Sequence, residues 1–512
     1  MRRKEIIILI ICLFVGFALR FYHFDTKSLW MDEISTFNDS RDDSQGQLKF
    51  FKENPTFLHP PLFFILTHQF YPFTKPERDL RIIPLIFGTL SIPMIYLLAR
   101  SFSPHIALPC TLSLTFMAYH ISLSQDGRSY SLMMFLGMAS LYFFMKHLKT
   151  LKKRYLLGTA ISFAILFHTS YSSIPFIALP QILWFYRPSG DGKKPPLSSF
   201  FTLNGMTFFF CIPWILFTTL NYKGQPIMDP LQAKVPLSFE NILYGIFHDW
   251  VPYGPLIIIS VILLIILPIF SKFRKNAFIL IAVFVLPIAG LYLLCKLLNI
   301  SHFITSRYFI TFFPLFLITL FLSLDTVEDK FKTLKRFMRF KILFVILFIA
   351  SNLLILPLYY RSEKQDFKGL VTYLTKQLRE GDKIFVVDTA FIPSILHYFG
   401  IDPEGRHFVV LYWKDSEGKI GFKKSFIYRN RIFTLFHSKT CCTQYIADGS
   451  RLWVVVGKGS AKEVRKDSPF ILKGYFDGSF LNFNRFPYDA SMYLFLWDPQ
   501  SQDEKGIDMP IE

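Results

Sequence analysis

The 512 residues carry 56 Lys and Arg against 37 Asp and Glu, a formal charge of +19, yet 52% of them are hydrophobic and 60 are phenylalanine. A mean hydropathy of +0.36 sets this chain apart from ordinary soluble proteins. The charge does not imply a nucleic-acid partner, because the basic residues gather on short loops between apolar runs.

The chain opens on Arg2-Arg3-Lys4 and continues almost wholly apolar over residues 5–19. That pattern also suits a cleaved signal peptide, but Arg20-Phe21-Tyr22-His23 offers no small-residue cleavage site. It reads as a retained anchor whose basic start stays in the cytoplasm. The next loop, 21–79, holds nine acids against six bases and is expected outside. Just beyond the first span it sets two adjacent carboxylates, Asp32 and Glu33, within Leu29-Trp30-Met31-Asp32-Glu33. Further on come His59-Pro60-Pro61-Leu62, where two prolines preset a short helix, and Glu77 to Arg81.

A hydrocarbon core of about 30 Å needs about 20 helical residues. On that measure the pattern predicts about eleven spans, near 5–20, 80–99, 104–122, 129–147, 155–171, 173–187, 200–220, 254–271, 276–297, 308–324 and 341–358. Lys and Arg fall on alternate loops, as orientation by positive charge requires. Lys146 to Arg154 has no acid, Arg187 to Lys194 and Ser271 to Lys275 are basic, and Lys330 to Lys341 carries six basic residues. The outward turns carry Gln125-Asp126-Gly127-Arg128-Ser129-Tyr130 and Ser301-His302-Phe303-Ile304-Thr305-Ser306-Arg307-Tyr308. Arginines and tyrosines at span ends commonly serve only as interfacial anchors. Together with the carboxylates, however, they compose a site for an anionic lipid-linked substrate.

From about Tyr360 the apolar runs shorten, and 22 bases mix with 19 acids. The expected architecture is a polytopic α-helical membrane domain over 1–359 and an extracytoplasmic soluble α/β domain over 360–512. In the tail, Gly369 to Leu378 and Phe391 to Phe399 read as helices. Lys383 to Asp388, Leu452 to Val456 and Met492 to Trp497 read as strands. Gly457-Lys458-Gly459 follows a strand but lacks the spacing of a phosphate or dinucleotide loop. Cys12, Cys110, Cys211 and Cys295 lie in apolar runs and Cys441-Cys442 are adjacent, giving neither a zinc spacing nor a disulfide framework.

Taken in order, Trp30-x-Asp32-Glu33, His59-Pro60-Pro61-Leu62, Arg128-x-Tyr130, and Ser306-Arg307-Tyr308 with Pro314 resemble the bacterial GT-C glycosyltransferases. The resemblance is to the family 39-like group, relatives of protein O-mannosyltransferases and of the aminoarabinose transferase acting on lipid A, over residues 1–360. It implies transfer of a sugar from a polyprenyl-phosphate donor to an acceptor hydroxyl on a lipid, glycan or protein, at the outer face of the cytoplasmic membrane. Asp32 would be the general base, with Glu33 orienting the acceptor or holding Asp32. Arg307, then Arg128 and Arg81, would bind the donor phosphate, helped by Tyr308 and Tyr130, with Trp30, His59 and His302 lining the substrate. His59 stands where some relatives have lysine, so a lysine contact to phosphate does not carry over. Some relatives hold a divalent ion near this loop, for which Glu33, His59 and His302 are the candidates here. A flippase for lipid-linked sugars predicts charges at mid-span and internal repeats, of which the sequence has few and none. A polysaccharide ligase is disfavoured by the acidic pair after the first span.

Overall fold

The computed structural model describes residues 3–53, 59–185, 195–222, 239–270, 274–297, 305–330, 339–401, 412–414, 420–422, 425–438, 449–466, 470–480, 489–500 and 506–511. His302 and the Cys441-Cys442 pair therefore lie outside the described residues. The chain divides into two compact units. The first comprises 1–25, 57–222 and 235–360, and the second 26–56, 223–234 and 361–512.

The first unit is helical. Among the described residues, six helices are long and apolar enough to cross a membrane: Pro76–Phe102, Tyr130–Thr150, Leu197–Asn221, Lys275–Leu293, Ser306–Lys330 and Phe340–Arg361. A seventh is available if Ile242–Trp250 and Gly254–Phe270, which meet at 101°, form one span. These seven match seven of the expected runs. Two more of the expected runs are also single helices, and the last two are broken. Helix Arg3–Phe21 has charged residues at both ends, Arg3, Lys4, Glu5 and Arg20, and Lys153–Thr169 has only 17 residues. The run expected at 104–122 breaks after Thr115 into the helices Ala107–Thr115 and Ala118–Leu123. The run at 173–187 is 3₁₀ and short α-turn over Tyr171–Phe185, where Pro175 and Pro180 each remove a helical donor. Ser306–Lys330 is the innermost span: Phe309, Phe312, Phe313, Phe316 and Phe321 are all buried. Leu197–Asn221 exposes Phe201, Phe208, Phe209 and Leu220, the apolar surface of a helix whose solvent is lipid.

The second unit is α/β. Its strands are β1 (Asp382–Val386), β2 (Tyr412–Lys414), β3 (Ile420–Phe422), β4 (Ser425–Arg429), β5 (Phe433–Ser438), β6 (Leu452–Gly457), β7 (Ile471–Phe476) and β8 (Met492–Trp497). Six form one sheet in the order β4-β5-β1-β6-β8-β7, while β2 and β3 pair separately. β1 runs parallel to β5 and β6, and the outer pairs are antiparallel. Alternate residues face opposite sides, as strand geometry dictates. Ile384, Val386, Trp453, Val455 and Leu494 pack under the helices Phe367–Gln377 and Ile392–Tyr398. Phe385, Phe436, Val454, Val456 and Phe495 fill the other face with Ala461 of helix Lys458–Lys466.

Helix Met31–Asp39 belongs to this unit, although residues 21–79 were expected to be a loop of the membrane domain. Three bonds fix its start. Leu29 N–H donates to the Tyr398 hydroxyl at 2.6 Å, Met31 N–H donates to Gln365 Oε1 at 3.1 Å, and Lys368 N–H donates to Ser28 Oγ at 3.2 Å. Phe37 stacks edge-on against His397 at 4.6 Å, and Met31 packs on the core.

Candidate active site

The candidate residues fall into two groups, one in each unit. In the second unit, Asp32 and Glu33 occupy the first turn of helix Met31–Asp39. Acids are favoured there because the turn's N–H groups have no partners within the helix and the dipole's positive end faces them. Glu33 is 1% exposed, and its carboxylate reaches back to accept from Trp30 N–H at 3.4 Å, the acidic half of a capping box. Asp32 is half-buried, and its carbonyl accepts from Thr36 Oγ1 at 3.2 Å. Trp30 is buried, with the Lys364 ammonium 4.8 Å from its ring centroid. Glu33 thus holds the shape of the turn that carries Asp32.

In the membrane unit, Arg307 is the second residue of the 3₁₀ turn Ser306–Phe312, which leads into helix Phe313–Lys330. Its guanidinium lies 5.7 Å from the ring centroid of Tyr130 and 5.6 Å from that of Tyr308. Three residues separated by up to 178 positions in the chain therefore form one aromatic-flanked cation. Cation–π contacts of this kind hold the guanidinium against the two rings. Arg128 sits on the turn before Tyr130, half-buried, with its N–H bonded to Asp126 O at 2.6 Å.

Arg81 differs from the other two arginines. It is 2% exposed, stands at the N-cap of helix Ile82–Phe102, and donates to Phe24 O at 3.0 Å, so one arm of its guanidinium ties the entry of that helix. His59 is exposed, beside Phe64 at 6.4 Å, and Pro61 caps the helix Leu62–His68 as the paired prolines require. Among the described residues no three His, Cys, Asp or Glu side chains are placed to hold one metal ion, and His302 lies outside those residues.

Two polar groups of the membrane unit escaped the sequence reading. Arg20 is fully buried, and its guanidinium donates to Gly16 O at 2.9 Å, Leu114 O at 3.2 Å, Thr115 O at 3.3 Å and His120 Nδ1 at 2.9 Å. It binds the last carbonyls of Ala107–Thr115, where the helix runs out of its own donors, and Gln125 Nε2 in turn donates to Arg20 O at 3.0 Å. Asp249, Ser306 and Tyr119 form a second chain beside Arg307. An acid alone in an apolar run, as in Phe247-His248-Asp249-Trp250-Val251, was the available signal, because membrane interiors keep such groups only with partners.

In the tail, the turn Gly457-Lys458-Gly459 is closed by Asp388, whose Oδ2 accepts from Gly457 N–H at 3.1 Å. A carboxylate already takes the donor that a phosphate would need.

The family model described as dolichyl-phosphate-mannose-protein mannosyltransferase matches residues 58–217. No curated protein matches the chain. Among solved structures, the chain is similar to ArnT from Cupriavidus metallidurans in the apo state, at 10% identity and a TM-score of 0.52, over 96% of this chain and 97% of that one. The same enzyme bound to undecaprenyl phosphate matches at 11% identity and 0.51, over 96% and 98%. The fold, helices and C-terminal sheet, is similar to that of ArnT.

Proposed function

We propose that this chain is a membrane glycosyltransferase that moves a sugar from a polyprenyl-phosphate carrier to an acceptor hydroxyl at the outer face of the cytoplasmic membrane. The observation that carries the reading is the Arg307, Tyr308 and Tyr130 cluster on a fold whose solved relative binds undecaprenyl phosphate. The mannosyltransferase family model over 58–217 supports the reaction class.

The donor is a phosphodiester with one negative charge, and the departing polyprenyl phosphate is a monoester that gains a second. A fixed guanidinium is therefore worth more in the transition state than in the bound donor, which is the condition for catalysis rather than mere binding. Arg307 takes this role, with Arg128 beside it in rank and the Tyr308 and Tyr130 hydroxyls as further donors. Asp32 accepts the acceptor's proton as its oxygen bonds to the anomeric carbon and the bond from that carbon to the phosphate oxygen breaks. The single displacement inverts the anomeric centre. Glu33 acts through Asp32 by holding the first turn of its helix. Lipid-linked donors reach an outer site by lateral entry, whereas nucleotide sugars are confined to the cytoplasm, so the tail domain belongs outside with Asp32. The acceptor is a lipid, a glycan or a protein of the envelope.

The test is mass spectrometry of envelope glycolipids and glycoproteins from a deletion strain carrying wild type or Asp32→Asn at matched membrane levels. Wild type is expected to restore a sugar-sized mass increment that Asp32→Asn does not. Equal restoration by both removes Asp32 as the base. Loss of no glycan on deletion, with lipid-linked sugar accumulating on one leaflet, replaces the transferase with a flippase.

A further inference from the structure

The buried chain beside Arg307 has a function that packing alone does not explain. Asp249 closes the helix Phe239–Trp250 and is 1% exposed. Ser306, the first residue of the turn that carries Arg307 and Tyr308, and Tyr119 of helix Ala118–Leu123 are each 4% exposed. The Ser306 hydroxyl donates to Asp249 Oδ2, and the Tyr119 hydroxyl lies 2.7 Å from Ser306 Oγ. Serine has a single hydroxyl proton. With that proton on the carboxylate, the Tyr119 hydroxyl is the donor of the second bond, so the chain runs in one direction from Tyr119 through Ser306 to Asp249. His248 Nδ1 stands 3.8 Å from the other Asp249 oxygen.

An isolated carboxylate in an apolar interior is costly, and an apolar residue of similar size would pack there at less expense. What Asp249 supplies that such a residue could not is an acceptor for the side chain that begins the Arg307 turn. Its own helix is clamped next door: the ring of Trp250 packs against Phe313 at 5.6 Å and Phe316 at 5.1 Å, both on the helix that continues the turn. The turn itself closes with Tyr308 N–H on Thr305 O at 3.1 Å. We propose that Asp249 is a positioning residue for the donor phosphate: through Ser306 it fixes the turn that presents Arg307 and Tyr308. The inference rests on the donor reading given under Proposed function and names a part of its phosphate site.

The experiment measures binding of undecaprenyl phosphate to the purified full chain in detergent, for wild type, Ser306→Ala, Asp249→Ala, Asp249→Asn and Arg307→Lys, with a thermal melt of each. Removing one partner of a buried hydrogen bond is expected to raise Kd about tenfold in Ser306→Ala and Asp249→Ala. The Asp249→Asn amide oxygen still accepts from Ser306 and should bring Kd back to within about threefold of wild type. A purely structural role would lower the melting temperature and leave Kd unmoved. Ser306→Ala deletes one oxygen and keeps the test available if Asp249→Ala does not fold. Unchanged Kd in Ser306→Ala alongside weakened binding in Arg307→Lys overturns the inference and leaves the donor reading intact. Asp249→Asn as weak as Asp249→Ala also overturns it. If wild type binds undecaprenyl phosphate no better than Arg307→Lys does, the donor reading falls and the inference with it.

Discussion

Asp32 and Arg307 divide the proposed chemistry between a proton acceptor and a charge stabiliser, and substitutions at the two should fail differently. Asp32→Asn keeps the shape of the turn and removes the base, so kcat is expected to fall by about 10²–10⁴ with donor affinity nearly unchanged. Arg307→Lys keeps a charge but loses the planar fork that contacts two tyrosine rings, so donor affinity and kcat should fall together. Steady-state kinetics on both variants checks the split, and identical profiles would contradict it. Much of this was legible in the sequence, because Asp32, Arg307, Tyr308 and Tyr130 stand in motifs at span ends. Asp249 and Arg20 were not, since the groups that pin them lie far along the chain: Ser306 is 57 positions from Asp249, and Leu114, Thr115 and His120 are 94 or more from Arg20. Ser306 was visible inside a motif, but nothing local disclosed that its hydroxyl is bound to an acid.

At the scale of elements, the close approach of Gly88 to the Gln125 turn carries a clear expectation. A Cβ on Gly88 would lie 2.1 Å from Ser124 Oγ and 2.6 Å from Ser124 Cβ, while Ser124 Oγ donates to His120 O at 2.7 Å. Gly88→Ala must push the turn that leads to Arg128, at a cost of about 1–3 kcal/mol. A melt of the variant in detergent measures it, and an unchanged melting temperature would show that the turn is loose.

In the tail, Asp366 caps the helix Phe367–Gln377 by accepting from Gly369 N–H at 2.8 Å. Burial, with a smaller contribution from Asp477, raises its carboxyl above the usual range despite that bond. A carboxyl raised by folding stabilises the fold in its acid form. That contribution is complete below the unfolded value and is lost as pH rises through the raised one. Wild type should therefore lose tail stability relative to Asp366→Asn across that acidic window, since the amide caps without titrating. Asp366→Ala should cost about 1 kcal/mol through the lost cap. Hydrogen exchange of residues 367–377 against pH reads both effects, and parallel pH profiles for wild type and Asp366→Asn would refute the assignment.

The strands and helices of the tail that sequence located, such as β1, β6 and β8, are the ones with continuous apolar runs buried on both faces. β2, β3, β4, β5 and β7 were missed, β2 and β3 being only three residues long. β4 and β5 mix polar residues into their runs, and β7 carries Gly474 at a register shift. Broken spans were equally hard to see, because periodicity does not distinguish Ala107–Thr115 followed by Ala118–Leu123 from one continuous helix.

For the whole molecule, the proposal needs a fixed orientation, with the first outer loop and the tail on the outside and the basic loops within. Cysteines placed at exposed Thr375 and exposed Thr150 test it in intact spheroplasts with an impermeant maleimide. In a background with Cys441 and Cys442 replaced by serine, Thr375→Cys should label directly and Thr150→Cys only after permeabilisation, and the reverse order would invert the topology. The assignment of 26–56 to the same unit as the tail could not be read from hydropathy, because three backbone N–H bonds to distant side chains make it.

Cleavage of a polyprenyl-phosphate sugar with Asp32 as base changes the phosphorus from diester to monoester. The most direct measurement is ³¹P NMR of lipid-linked sugars from the native membrane, incubated with purified protein and envelope acceptor. Wild type should convert the phosphodiester resonance to that of the monoester while Asp32→Asn leaves it in place. Persistence of the diester with wild type, or equal conversion by Asp32→Asn, would contradict the account.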